Sequence, residues 1–253
     1  MSHIAVLELA GLAHADRFAL ALMRLERSIS GTPVTLLHLD PNLRGLTPTS
    51  SSPAWTGLSD TTATLSAALS TLARGKRPTL QATPLPQGEG QMIWPGALLE
   101  EAWQEASLAV ARSAHTIALR EPLLTAIRAV QPSSSWVSLL GPARSGPAVL
   151  MLAEMDTLVL PWTGGTSAAL LKAERIEVVK QILSLRREKP VRLLGVRIGG
   201  PPGWGADFWG LLSAAAGHPT PPPLCNLPDP DPTIEAIVAA LRPTWLRIHG
   251  LAP

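Results

Sequence analysis

The first forty or so residues carry the feature that most restricts the fold. Ile4 to Leu9 is a short β-rich apolar run followed by Gly11. The period then changes: Phe18, Ala21, Leu22, Leu25 and Ile29 recur at helical spacing, with Arg24, Glu26 and Arg27 on the other faces. Gly31 stands where such a helix stops, and Val34 to Leu39 is a second buried strand, closed by Asp40-Pro41. Two parallel strands need a crossover of about a dozen residues or more, and a helix supplies it, so strand, helix and strand in this span form a βαβ unit.

The rest of the chain repeats that alternation. Residues 43–60 are rich in Ser, Thr, Pro and Gly and read as a surface loop. "TATLSAALSTLARG" predicts a short helix, Met92 to Trp94 a strand, and Leu98 to Val130 long helical patterning interrupted or restarted near Pro122. "SSWVSLLGPA", "DTLVLPW" and "VRLLGVRIGG" are further strands, and Thr166 to Arg187 has the strongest helical pattern of all. A helix near Ala206 to Ala216, a short strand in "PTPPPLCNLPDPDP" and a closing helix, "TIEAIVAALR", complete the chain. These elements predict one α/β domain over 1–253, a doubly wound, mostly parallel sheet with helices on both faces. A hydrophobic content of 46% supplies its core.

Composition narrows the function. A net charge of +2 permits contact with an acidic surface without demanding it. Cys225 is the single cysteine, which excludes an internal disulfide and a cysteine-only metal cluster. The amino-terminal run lacks a basic leader and is interrupted by Glu8, while Pro147 to Trp162 is broken by Glu154 and Asp156, too short and too charged to span a bilayer. The expectation is a cytoplasmic protein without membrane insertion.

The order of elements and the residues at their ends resemble the ParA/MinD family of deviant Walker-type P-loop ATPases. There a first strand leads into K-G-G-x-G-K-T-T, a helix, a glycine and a strand ending D-x-D-P; counted back from Asp40-Pro41, the phosphate loop falls on Gly11 to Phe18 without a gap. "WVSLLGPARSGPAVLMLAEMDTLVLPW" is similar to the family's Asp-x-Pro-Pro strand, helix and next strand. The resemblance implies a family of nucleotide-dependent dimers that position or partition cargo. The charged groups are replaced, however: on this register the signature lysine is Gly11, the glycine before the main lysine is Ala15, the phosphate lysine is Asp16 and the magnesium-binding threonine is Arg17. The first Asp of D-x-D-P is His38, Asp40 is retained, and the Asp-x-Pro-Pro aspartate falls near Leu140 or Gly141.

A triphosphate needs helix N–H groups, a lysine, and magnesium held by a hydroxyl and a carboxylate. Asp16 instead brings a carboxylate to the phosphate position, where like charges at about 4 Å cost about 1 to 4 kcal/mol. Without phosphate the same carboxylate is favourable at a helix N-terminus, so Asp16 reads as a built-in occupant. The expectation is a pseudo-ATPase with no enzymatic activity, no catalytic residues, no cofactor and no metal, acting through a protein partner or DNA and forming a nucleotide-independent homodimer if it dimerises.

Two alternatives stand beside this reading. Lys172, Arg175, Lys180, Arg186, Arg187, Lys189, Arg192 and Arg197 outweigh Glu174, Glu177 and Glu188, and a nonspecific DNA contact would use Lys180, Arg186, Arg187, Lys189 and Arg192, against an ordinary solvated helix face. An enzyme or sensor would reuse the crevice through His14, Asp16, His38 and Asp40, whose spacing is not a recognised metal motif. Gly164 to Ser167 reads as a loop and cap or an anion nest, and Ser145 lacks a nucleophile elbow. Trp162, Trp204 and Trp209 are core residues or anchors for a partner.

Overall fold

The computed structural model describes residues 2–7, 15–39, 64–85, 90–93, 96, 99–112, 119–130, 132, 135–140, 151, 154–163, 191–200, 209–210, 213–214 and 223–251. Its strands are β1 (His3–Val6), β2 (Val34–His38), β3 (Thr83–Pro84), β4 (Gln91–Ile93), β5 (Ser135–Leu139), β6 (Thr157–Thr163), β7 (Arg192–Ile198) and β8 (Leu224–Leu227). Its helices are α1 (Ala15–Ser30), α2 (Leu65–Ala73), α3 (Leu99–Arg112), α4 (Arg120–Val130) and α5 (Ile234–Ile248). The strands form one sheet in the order β3-β4-β2-β5-β1-β6-β7-β8, parallel throughout except for β3, which runs antiparallel to β4 at the edge.

Period-2 alternation sorts the strand residues onto two cores. Val34 and Leu36 of β2, Ile4 and Val6 of β1, and Val137 and Leu139 of β5 face α1 and α5. Leu37 and Leu39, Ala5 and Leu7, and Leu158 and Leu160 face α2, α3 and α4. Helices on both faces make the sheet doubly wound, as the sequence predicts. α1 buries Phe18, Ala21, Leu22 and Leu25 against the sheet, and Gly31, at φ +64°, ends it with its N–H donating to Arg27 O at 3.0 Å. Thr64 and Thr233 cap α2 and α5, each side-chain oxygen accepting the N–H three residues on.

Several expectations change. One holds: α3 ends at Arg112 and α4 restarts at Arg120, with Pro122 in its first turn, a position whose N–H has no helical partner to lose. α5 runs past the expected end at Arg242, through Pro243, to Ile248. An interior proline costs about 3 kcal/mol. Trp245 lies two residues beyond it and is fully buried, and burying an indole returns about 4 to 6 kcal/mol, which carries the helix through. β3 is not legible as a strand, and Pro84 is tolerated in it because it lies at the sheet edge. Pro161 sits inside β6, two residues past Val159, the last β6 residue that pairs with β1, so its missing N–H falls where that pairing ends.

Trp162 and Trp209 are core, not partner anchors: they are 0% and 2% exposed and stack on each other with ring centroids 5.8 Å apart. Gly195 makes room for the stack, since a Cβ there would lie 3.0 Å from the Trp209 ring. Trp204, the loop at 43–60 and the helix expected over 166–187 lie outside the described residues.

Candidate functional site

α1 follows β1 and packs antiparallel to the strands, so it begins at the carboxyl ends of β1, β5 and β2. The ladder there continues one residue past each strand: Leu7 N–H donates to Val159 O at 3.0 Å, Leu39 N–H to Leu139 O at 2.9 Å, and Leu140 N–H to Val6 O at 3.0 Å. The side chains of Leu7, Leu39 and Leu140 are all buried and apolar. His38 is the polar exception. It follows Val34 and Leu36 on the α1 side of β2, pairs in register with Leu139, and is 2% exposed.

Neither ring nitrogen of His38 has a hydrogen-bond partner. Burial in this apolar setting pulls its pKa from 6.5 to about 4, with a smaller opposing contribution from its own backbone, so the ring is neutral at pH 7. A neutral imidazole offers one N–H donor and one lone pair. Arg17, in the first turn of α1, points elsewhere. Its guanidinium donates to Asp231 Oδ1 at 2.6 Å and to Pro232 O at 3.2 Å, on the segment that leads into α5.

The sequence matches no protein-family model and no curated relative. Solved structures do match along the whole chain. The chain is similar to McdA from Cyanothece, determined as an ATP complex of a single-residue variant (13% identity, 100% of this chain and 98% of that one, TM-score 0.63). It is similar to a plasmid partition protein from Borrelia burgdorferi (13% identity, 95% and 97%, TM-score 0.57). It is also similar to cobyrinic acid a,c-diamide synthase from Mycobacterium smegmatis with bound ATP analog and magnesium (15% identity, 100% and 98%, TM-score 0.57). This is the ParA/MinD fold.

In the ParA/MinD fold the residues expected at the nucleotide position are only partly gathered. Ala15 and Asp16 form the start of α1, though their side chains lie outside the described residues, as do Gly11, His14 and Asp40. Arg17 and His38 are described and are not brought together: Arg17 is held by Asp231, while His38 is buried without a partner. Among the described residues no group of three His, Cys, Asp or Glu side chains could hold a metal. Of the basic set, Arg192 is exposed at the start of β7 and Arg197 is buried, while Lys180, Arg186, Arg187 and Lys189 lie outside the described residues. Among the described residues no helix is long and apolar enough to cross a membrane.

Glu26 departs from the sequence expectation. Placed by periodicity on a face of α1 other than its apolar one, it is nonetheless 1% exposed, because α5 packs against that helix. Its carboxylate accepts hydrogen bonds from the hydroxyls of Ser2 and Ser135, the latter at 3.1 Å, from Trp245 Nε1 at 3.3 Å, and lies 3.2 Å from His249 Nε2. This cluster borders an open depression of about 540 Å³ at the amino ends of the strands, opposite the end where α1 begins. The signal available in sequence was faint: "LRPTWLRIH" carries the indole and imidazole that reach Glu26, but beyond a proline that reads as a helix end.

Proposed function

We propose that the protein is a nucleotide-independent ParA/MinD-like pseudo-ATPase, a scaffold that binds a protein partner or DNA in chromosome or plasmid partition or in cellular positioning. The observation that carries this reading is the fate of the magnesium-threonine position. On the register counted from Asp40-Pro41, Arg17 falls there, beside Asp16 at the phosphate-lysine position, and the Arg17 guanidinium donates to Asp231 Oδ1. Neither a carboxylate nor a guanidinium supplies the hydroxyl that holds magnesium, and a carboxylate at the lysine position repels phosphate. Neutral His38 takes the place of the first aspartate of D-x-D-P. The fold alone does not decide between scaffold and enzyme, since it also serves the synthase; the residues at the site favour the scaffold.

The test is calorimetric titration with ATP and Mg²⁺ together with thermal unfolding with and without ligand. The expected result is no heat and no shift. Nucleotide at a hundredfold above its dissociation constant would stabilise the fold by about 2.7 kcal/mol, so clear binding would overturn the reading. The DNA form of the proposal rests on the exposed Arg192 and the basic residues before it in sequence; salt-sensitive DNA retention that weakens in Arg186→Ala, Arg187→Ala and Lys189→Ala variants would support it.

A further inference from the structure

The depression at the amino ends of the strands has a polarity of its own, set by where its hydroxyl protons go. The Glu26 carboxylate can only accept hydrogen bonds. Ser135 Oγ gives it a proton at 3.1 Å, and Ser2 Oγ does the same. Ser135 Oγ is therefore the acceptor in its 3.4 Å contact with Thr32 Oγ1. Ser30 Oγ donates to Glu26 O at 2.8 Å and lies 2.7 Å from Thr32 Oγ1. These protons stay inside the network, so the wall turns oxygen lone pairs toward the depression. Asp156, half-buried on the same lining, adds a carboxylate of which Oδ2 accepts His3 N–H at 3.0 Å. α1 and α5 both end here, at Ser30 and Ile248, with the negative ends of their dipoles.

Positive charge enters from Arg192, which lines the depression from the exposed start of β7. Among the described residues its guanidinium has no carboxylate partner. His249, the other basic side chain of the lining, is turned to Glu26 Oε2 at 3.2 Å. Arg192 pairs in register with Thr157, the residue after Asp156, and its N–H donates to Asp156 O at 3.0 Å. Adjacent strands lie about 5 Å apart, so an acceptor-rich wall and a guanidinium flank one spot.

We propose that this depression binds a small zwitterion, an α-amino acid, with its ammonium on the hydroxyl oxygens and Asp156 and its carboxylate on the Arg192 guanidinium. A lone anion would meet Asp156 and two helix ends, and a lone cation would meet Arg192; an ammonium and a carboxylate on neighbouring atoms answer both. A guanidinium fork matches a carboxylate in shape as well as charge. The volume of about 540 Å³ leaves room for a side chain beyond those two groups. The inference does not rest on the pseudo-ATPase reading, because the depression lies at the opposite end of the sheet from the start of α1.

The test is thermal unfolding of the full chain with each of the standard L-amino acids in turn at millimolar concentration, followed by calorimetric titration of the one that stabilises most. At least one is expected to raise the midpoint and to titrate saturably. Its decarboxylated amine and its deaminated acid are each expected to bind about tenfold or more weakly. Arg192→Ala and Asp156→Asn are each expected to weaken binding by about the same factor. The first changes an exposed side chain, and the second keeps an oxygen for His3 N–H. Arg74→Ala, beyond α2 on the other face of the sheet, is expected to leave binding unchanged. No amino acid that binds, an amine that binds as tightly as its amino acid, or binding unchanged in Arg192→Ala or in Asp156→Asn would each overturn the proposal. ATP binding, if found, would refute the pseudo-ATPase reading and leave the amino-acid result standing.

Discussion

The two ends of the sheet treat a buried polar side chain in opposite ways. At the amino end, Glu26 is 1% exposed and surrounded by two hydroxyls, an indole N–H and an imidazole. At the carboxyl end, His38 is 2% exposed and has no partner at either nitrogen. Both belong to the α1 side of the sheet, so burial does not distinguish them; satisfaction does. A carboxylate with its donors in place ties α1, the start of β1, β5 and α5 together, and is a structural clamp. An imidazole left bare at both nitrogens costs stability instead.

The contrast breaks most sharply at Glu26. Glu26→Ala removes the common acceptor of four groups, and at about 1 kcal/mol for each the fold should lose on the order of 4 kcal/mol. This is read as a lower denaturation midpoint at unchanged slope. An unchanged midpoint would mean that the cluster is not a clamp.

His38 should behave in the opposite sense. Its pKa is about 4 in the folded chain against 6.5 unfolded, so the unfolded state takes up a proton first as pH falls. Stability present above pH 6.5 should decline toward pH 4, by on the order of 3 kcal/mol. His38→Leu should lose that part of the pH dependence and be at least as stable as the wild type at pH 7. A variant that keeps the full slope would show that other groups cause it.

The smallest effect belongs to a surface pair. Arg17 and Asp231 are 37% and 68% exposed, so Asp231→Ala should change stability by no more than about 0.5 kcal/mol, and less in high salt. A loss several times larger would show that the Arg17 contact fastens α1 to the segment before α5.

Much of the architecture was legible before any coordinates. The change of period after β1, Gly31 at the end of α1 and the run Val34 to Leu39 specify strand, helix and strand locally, and local pattern is what sequence carries. Counting back from Asp40-Pro41 sets Asp16 and Arg17 against the family's lysine and threonine, an expectation that rests on residue identity alone. What sequence could not supply depends on which surfaces meet. Glu26 is buried because α5 lies over it, α5 outlasts Pro243 because Trp245 has a core to enter, and Trp162 is core because Trp209 stacks on it above Gly195. The identity of His38 was plain from the sequence, but its isolation was not. Only the packing of β2, β5 and α1 shows that no described side chain answers it, because hydrogen-bond satisfaction is a property of neighbours brought together by the fold.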